Sequence, residues 1–91
     1  MTERAHVYVE GRVQGVGFRY ALLREAHQHN INGWARNLPD GRVEAEFEGA
    51  KKTVQEMVVW CQQGPAFAHV TNVDVRWETG EAKHQGFRIV G

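Results

Sequence analysis

Alternating hydrophobic and polar positions predict strand, helix and hairpin in the first half of the chain. Residues 6–10 alternate, with Val7 and Val9 on one face, as in a half-buried strand. Residues 18–29 lack glycine and proline and carry apolar side chains at helical spacing, which predicts a helix. Residues 34–38 and 42–48 then flank a Pro-Asp-Gly turn, a combination that predicts a β-hairpin.

The second half repeats the change from helix to strand. The spacing of Val54, Met57, Val58 and Cys61 predicts a buried helical stripe over residues 51–63, which Gly-Pro at 64–65 ends. Alternation over residues 73–77 predicts a fourth strand, and apolar residues at 87 and 89 predict a short fifth.

The element order is therefore β-α-β-β-α-β with a short C-terminal strand. Strands with one apolar face and one polar face need cover on one side only, so both helices are expected there. We predict an α+β fold of the ferredoxin-like class, the split βαβ sandwich, with an antiparallel sheet. Residues 1–91 contain no repeat or linker-like tract, so we expect a single domain.

Charge and cysteine content narrow the classes of function. Eleven basic residues balance eleven acidic ones, which argues against a surface that holds nucleic acid or anionic lipid. No apolar run approaches the ~18 residues of a membrane span. Cys61 is the only cysteine, so no intrachain disulfide can form, and a reducing cytoplasm is expected. Nothing in the sequence suggests an obligate dimer, so we expect a monomer. We interpret Cys61 as a small buried hydrophobe rather than a reactive thiol.

Three glutamates occupy alternate positions of the second hairpin strand. Glu44, Glu46 and Glu48 all lie on the face opposite Val43 and Phe47. Such a row could serve acid-base or metal chemistry, but a solvated sheet face is the commoner explanation, and we adopt it.

Several common catalytic arrangements are missing. The chain has no serine, so a serine nucleophile is excluded. The five histidines show no metal-ligand spacing, and no Cys-x-x-Cys or Walker-type motif occurs. No metal or other cofactor is therefore predicted.

The glycine-rich loop at residues 11–17 is the first candidate site. Gly11, Gly15 and Gly17 let the backbone turn tightly and come close to a ligand. The helix that follows begins without a Ser, Thr, Asp or Asn to cap its free N–H groups.

Arg19 lies in the first turn of that helix, where a cation opposes the helix dipole by ~0.3–1 kcal/mol. A bound oxyanion would accept from the free N–H groups and pair with the guanidinium. We infer a phosphate-sized anion site formed by residues 14–18 and Arg19. The alternative is an ordinary strand-to-helix loop with a solvent-facing arginine.

Asn37 is the second candidate. It shares a strand face with Gly33 and Ala35, two small residues that leave room beside its carboxamide. A carboxamide can donate to and accept from one water molecule. The alternative is an asparagine that merely forms the adjacent turn.

Both segments resemble signatures of the acylphosphatase family. Residues 11–19 (GRVQGVGFR) resemble the first signature, and residues 33–43 (GWARNLPDGRV), followed by Gly49, resemble the second. The first motif is much more specific than a lone Gly-x-Gly, and the resemblance extends over the whole chain.

The resemblance implies metal-independent hydrolysis of acyl phosphates, the mixed anhydrides of carboxylic and phosphoric acids. It implies that Arg19 binds the phosphate and that Asn37 positions the attacking water. It also implies a phosphate cradle from the loop amides of Gln14, Gly15, Val16, Gly17 and Phe18.

Rival functions remain on the same fold. An RNA-binding module would need aromatic residues on a central strand, where this chain has the alternating glutamates. A non-catalytic phosphate-binding module, or a domain that processes carbamoyl phosphate within a larger protein, would keep the site and change its use. The absence of an appended domain favours the free-standing enzyme.

Overall fold

Two helices and five strands follow one another in the predicted order. The computed structural model describes residues 2–91. Its elements in chain order are β1 (Thr2–Arg12), α1 (Phe18–Gln28), β2 (Asn32–Asn37), β3 (Val43–Gly49), α2 (Lys51–Gln63), β4 (His69–Gly80) and β5 (Phe87–Ile89). The ferredoxin-like order and the bounds of α2 match the prediction.

The strands form one sheet in the spatial order β4-β1-β3-β2-β5. β1 pairs antiparallel with both β3 and β4, and β2 pairs antiparallel with β3. Hence β1 and β2, which α1 connects, run parallel with β3 between them, as in a split βαβ unit. The sheet is mixed rather than wholly antiparallel, because β5 adds to β2 in the parallel direction.

One face of the sheet and both helices share a single hydrophobic core. The inward residues of β1 and β3, such as Val7 and Phe47, are fully buried together with Leu22 of α1 and Met57 of α2. Burial of each large side chain stabilises the fold by about 1.5–3 kcal/mol. Cys61 belongs to this core and is 0% exposed, as expected of a small hydrophobe. Burial raises the pKa of its thiol well above the ordinary value.

β1 and β4 are both longer than their hydrophobic alternation predicts. β1 and β4 pair from Thr2↔Gly80 to Arg12↔His69, with a register shift between Glu10 and Gly11. Gly11 therefore belongs to the sheet and not to the loop: a Cβ there would lie 2.1 Å from the His69 carbonyl oxygen. The glycine-rich loop is correspondingly shorter than predicted and covers residues 13–17.

The interpretation of the three glutamates as a solvated face is wrong, and Glu48 shows why. Its side chain is 1% exposed, because the segment after β4 crosses this face of the sheet. The carboxylate accepts hydrogen bonds from Arg4 Nη1 at 2.8 Å, from the Lys83 amide at 2.9 Å and from the His84 amide at 3.0 Å. Burial alone would raise the pKa of Glu48, but these donors outweigh it and hold the pKa below its usual value.

Glu44 is enclosed in the same manner further along β3. Its side chain is 6% exposed and lies 2.6 Å from Arg36 Nε and 2.6 Å from His6 Nε2. Glu46 lies between Glu44 and Glu48 and accepts from His84 Nε2 at 2.8 Å. The face opposite the helices is thus a paired charge network, which sequence alternation alone could not distinguish from a wet surface.

Candidate functional site

The loop between β1 and α1 depends on two left-handed glycines. Gly15 has φ 73° and Gly17 has φ 79°. Beyond the glycine and its two chain neighbours, no heavy atom lies within 4 Å of the position that a Cβ would take at either residue. The backbone conformation, rather than crowding, therefore requires glycine at both positions.

The loop and the first turn of α1 present a row of free N–H groups. Gly17 is the N-cap, no side chain of the described residues caps the helix, and the first turn contains no acidic residue. Within residues 2–91, the amides of residues 15–19 donate no hydrogen bond. This arrangement is suited to hold an anion at the helix N-terminus.

Phe18 fixes the start of α1 against the core. Its side chain is 1% exposed, and its ring centroid lies 5.5 Å from that of Trp60 in an edge-to-face arrangement. A Cβ at Gly64 would stand 2.7 Å from the Phe18 ring, so the end of α2 packs tightly on it. The buried aromatic ring therefore anchors the turn that carries Arg19.

Arg19 faces a cavity of about 220 Å³ at this end of the molecule. In the part of the chain that the structure describes, its guanidinium forms no ion pair with a carboxylate. The cavity is lined by Val13, Gln14, Gly15, Gly17, Phe18, Arg19, Tyr20 and Asn37. The structure thus brings both candidate residues and most of the loop together.

Within the predicted phosphate cradle, residues 14–18, Val16 is the one residue that does not line the cavity. Its side chain instead packs against the hydrophobic core. Val16 can therefore contribute to anion binding through its backbone amide and not through its side chain.

Asn37 is the last residue of β2 and pairs with Val43 of β3. It lies on the helix side of the sheet with Ala35, which is fully buried. The Asn37 Oδ1 atom is buried and accepts no hydrogen bond from residues 2–91. A buried carbonyl oxygen without a donor is costly, by roughly 1–3 kcal/mol, so this atom is suited to accept from a water or ligand.

The turn after Asn37 is held by local hydrogen bonds. The Gly41 amide donates to the Leu38 carbonyl at 3.1 Å, as expected of the predicted Pro-Asp-Gly turn. The Arg42 amide donates to Asp40 Oδ1 at 3.1 Å, and Arg42 Nε donates to Oδ2 at 2.8 Å. These bonds, the backbone one foremost, lower the pKa of the Asp40 carboxyl.

Sequence reasoning assigned neither Val13 nor Tyr20 to the cavity, and it missed the side-chain contact of Gln14. Tyr20 lines the cavity and is 67% exposed, a location that its place in the first turn of α1 could have suggested. The Gln14 side chain reaches across to the hairpin: Nε2 donates to the Leu38 carbonyl at 2.8 Å and to the Arg42 carbonyl at 3.0 Å. No local sequence signal indicates that contact.

The cavity can bind an anion and hold a water, but its lining offers little acid-base chemistry. Among the residues that the structure describes, no carboxylate, imidazole or thiol lines it. Over residues 2–91, no group of three or more His, Cys, Asp and Glu side chains is placed to hold a metal ion. No helix in that range is long and apolar enough to cross a membrane.

A larger groove, of about 480 Å³, lies on the opposite face of the sheet. Trp34, Arg36, Lys83 and Arg88 line it, but neither Arg19 nor Asn37 does. Because both candidate residues and the free amides meet in the smaller cavity, that cavity is the candidate active site.

Comparison with known proteins identifies one family. A family model described as Acylphosphatase matches residues 5–89 of this chain. An acylphosphatase of Roseiflexus sp. (strain RS-1) is 53% identical over 87 residues, which cover 96% of this chain and 94% of the relative. One of Thermococcus kodakarensis is 51% identical over 88 residues, covering 97% and 96%. The crystal structure of acylphosphatase from Bacillus subtilis has a TM-score of 0.93 at 38% identity, covering 98% of this chain and 99% of that one.

Proposed function

The chain belongs to the acylphosphatase family and hydrolyses acyl phosphates, and we propose that Arg19, Asn37 and the loop amides carry out this reaction without a metal ion. The observation that carries the proposal is the meeting of three kinds of group in one cavity. These are the Arg19 guanidinium, the amides of the loop residues that line the cavity, and Asn37 Oδ1, none of which is bonded to a partner within residues 2–91.

The phosphate end of the substrate accepts hydrogen bonds from the amides of Gln14, Gly15, Val16, Gly17 and Phe18. Arg19 pairs with its equatorial oxygens, which gain charge in the loose transition state of phosphoryl transfer. These donors are fixed before the reaction, so they stabilise that charge without reorganising.

Asn37 orients the attacking water in this proposal. Its Oδ1 accepts a hydrogen bond from the water, which then lies in line with the bond between phosphorus and the acyl oxygen. The water oxygen bonds to phosphorus, and the carboxylate leaves with the electron pair of the bond that breaks.

The water's proton passes to an oxygen of the substrate phosphate, because no lining side chain is a carboxylate or imidazole. A carboxylate is a good leaving group and needs little help from a general acid. A rate that does not respond to protonation of the substrate phosphate would contradict this step.

The decisive experiment measures phosphate release from benzoyl phosphate with and without EDTA, with a phosphomonoester in parallel. We expect rapid hydrolysis of the acyl phosphate alone and no effect of EDTA. Loss of the activity in EDTA, with recovery on adding a divalent cation, would overturn metal independence.

Asn37→Ala tests the role of the carboxamide. We expect kcat to fall by on the order of 10²-fold, because the water loses its orientation, while the inhibition constant of inorganic phosphate changes little. Asn72→Ala, which removes an exposed carboxamide that bonds to Glu10, is the matched control. Weak phosphate binding with an unchanged kcat would contradict the assignment.

We also propose that the chain acts as a cytoplasmic monomer that binds no nucleic acid. Cys61 is buried and unpaired, which suits a reducing compartment. The glutamates of β3 already pair with basic side chains of the same face, which leaves fewer cations free for a polyanion. Light scattering during size exclusion tests the monomer, and a mass near twice 10.4 kDa would contradict it.

A further inference from the structure

The side chain of Gln14 is committed to the hairpin and not to the phosphate. Its Nε2 carries two hydrogens, and two carbonyl oxygens, those of Leu38 and Arg42, lie 2.8 and 3.0 Å away. Both donors are therefore used within the protein. The backbone N–H is therefore the one donor of Gln14 that remains for a substrate phosphate.

Leu38 and Arg42, which provide the two carbonyls, are the residues next to Asn37 and Val43, the last pair between β2 and β3. Asn37 pairs with Val43, and the Leu38 amide donates to the Arg42 carbonyl at 2.8 Å to close the turn. Gln14 thus holds both strands of the hairpin at the point where Asn37 projects toward the cavity.

The Gln14 side chain links the phosphate loop to the hairpin at a point where the sheet, over the residues described, has no hydrogen bonds between them. The last pair between β1 and β3 is Val9↔Val43, after which β1 continues along β4 alone. Within residues 2–91, the two bonds of Gln14 are the only hydrogen bonds between residues 13–17 and residues 37–43. The hydrogen bonds that link the phosphate loop to the Asn37 hairpin therefore all come from this one carboxamide.

We propose that Gln14 is a positioning residue that sets the distance between bound phosphate and the water held by Asn37. The inference rests on the roles proposed above for the loop and for Asn37. It adds that the two halves of the site are aligned by a side chain that touches neither reactant. A misplacement of about 1 Å between reacting groups can cost on the order of 10²-fold in rate.

Gln14→Met tests this alignment, because methionine has nearly the same length but cannot donate. We expect kcat for benzoyl phosphate to fall by about 10- to 100-fold. The inhibition constant of inorganic phosphate should change by less than about threefold, since the amides and Arg19 stay on the loop and on α1. Gln14→Ala gives a second measurement if methionine disturbs packing, and Gln28→Ala, exposed on α1, is the control for losing a glutamine.

A double-mutant cycle with Asn37→Ala separates positioning from a general structural effect. If Gln14 acts through Asn37, adding Gln14→Met to Asn37→Ala should lower kcat by less than about threefold further. Equal losses in both backgrounds, an unchanged kcat, or phosphate binding that weakens as much as kcat falls would each overturn the proposal. An Asn37→Ala single variant with normal kcat would instead show that the water-positioning role itself is wrong.

Discussion

Removing the negative charge of Glu48 should destabilise the fold without touching the reaction. Glu48→Gln keeps the size of the side chain but turns one acceptor oxygen into an NH₂ group. Both oxygens currently face donors: Oε2 faces Arg4 Nη1 and the Lys83 amide, and Oε1 faces the amides of Lys83 and His84. Whichever way the new carboxamide turns, its NH₂ group opposes a donor in a place that water does not reach.

The size of the effect follows from these contacts. Breaking a buried ion pair by removing one partner typically costs about 3–5 kcal/mol. Arg4 keeps a second partner in Glu78, whose side chain is 63% exposed, so the lower end of that range applies. We expect a loss of about 3 kcal/mol in the free energy of unfolding, or about 12–24 °C in Tm for a domain of this size.

Urea unfolding followed by tryptophan fluorescence measures this loss. Glu56→Gln, on the exposed face of α2, is the matched control and should change stability by less than about 0.5 kcal/mol. At a temperature where Glu48→Gln stays folded, its kcat should equal that of the wild type, because Glu48 lies on the sheet face away from the cavity. A destabilisation under about 1 kcal/mol would refute this account of the charge network.

The same carboxylate predicts a dependence of stability on pH. Its pKa in the folded protein lies below the value in the unfolded chain, so its contribution is complete above the unfolded value of about 4.3 and is lost as the pH falls toward the folded pKa. The free energy of unfolding of the wild type should therefore decline below about pH 4.5, and that of Glu48→Gln should decline less steeply. Parallel acid profiles for the two proteins would show that Glu48 titrates as an ordinary carboxyl.

Three further predictions concern the site and the core. Arg19→Ala should lower kcat/KM for benzoyl phosphate by on the order of 10²–10³-fold, whereas Arg24→Ala, exposed on the same helix, should not; near-normal turnover would remove Arg19 from its proposed role. Gly17→Ala should cost about 1–2 kcal/mol in urea unfolding, because φ 79° is strained for a residue with a Cβ, and it should weaken phosphate inhibition; a wild-type midpoint would contradict the strain. Cys61 should react with a maleimide only as fast as the protein unfolds, and rapid labelling of the native protein would mean that the thiol is accessible.

Local sequence predicted the elements because their signals are local. The stripe in α2 and the Pro-Asp-Gly turn need only neighbouring residues to be recognised, and both appear where expected. The burial of Glu48 could not be predicted, since its partners Arg4, Lys83 and His84 are 35 to 44 positions away in the chain. An alternating polar row has the same pattern whether water or a distant segment covers it.

In the candidate site, too, the residues with local sequence signals were predicted and the contacts between distant residues were not. Arg19 and the loop are visible in sequence, because a missing cap and a cation in the first turn are local anomalies. Asn37 has a weak local signal, the small residues Gly33 and Ala35 on its strand face, and the resemblance to a family motif is what separates it from a common turn asparagine. The bridge from Gln14 to the hairpin spans 24 to 28 positions and depends on where β1 leaves β3, so only the structure reveals it.

The register of β2 determines two features at once, the ion pair of Arg36 on one face of the sheet and the position of Asn37 on the other. Arg36 and Asn37 are consecutive and therefore lie on opposite faces, Arg36 beside Glu44 in the charge network and Asn37 at the cavity. A slip of one residue would exchange them, so the charge network on one face also fixes the carboxamide on the other. Gly33 also restricts such a slip. A Cβ at this position, where φ is 142°, would lie 1.8 Å from the Glu46 carbonyl oxygen. Only glycine fits there, so a residue with a side chain cannot move into its place opposite β3. The Arg36–Glu44 pair, which helps to determine the face that Asn37 occupies, therefore lies on the side of the sheet away from the cavity.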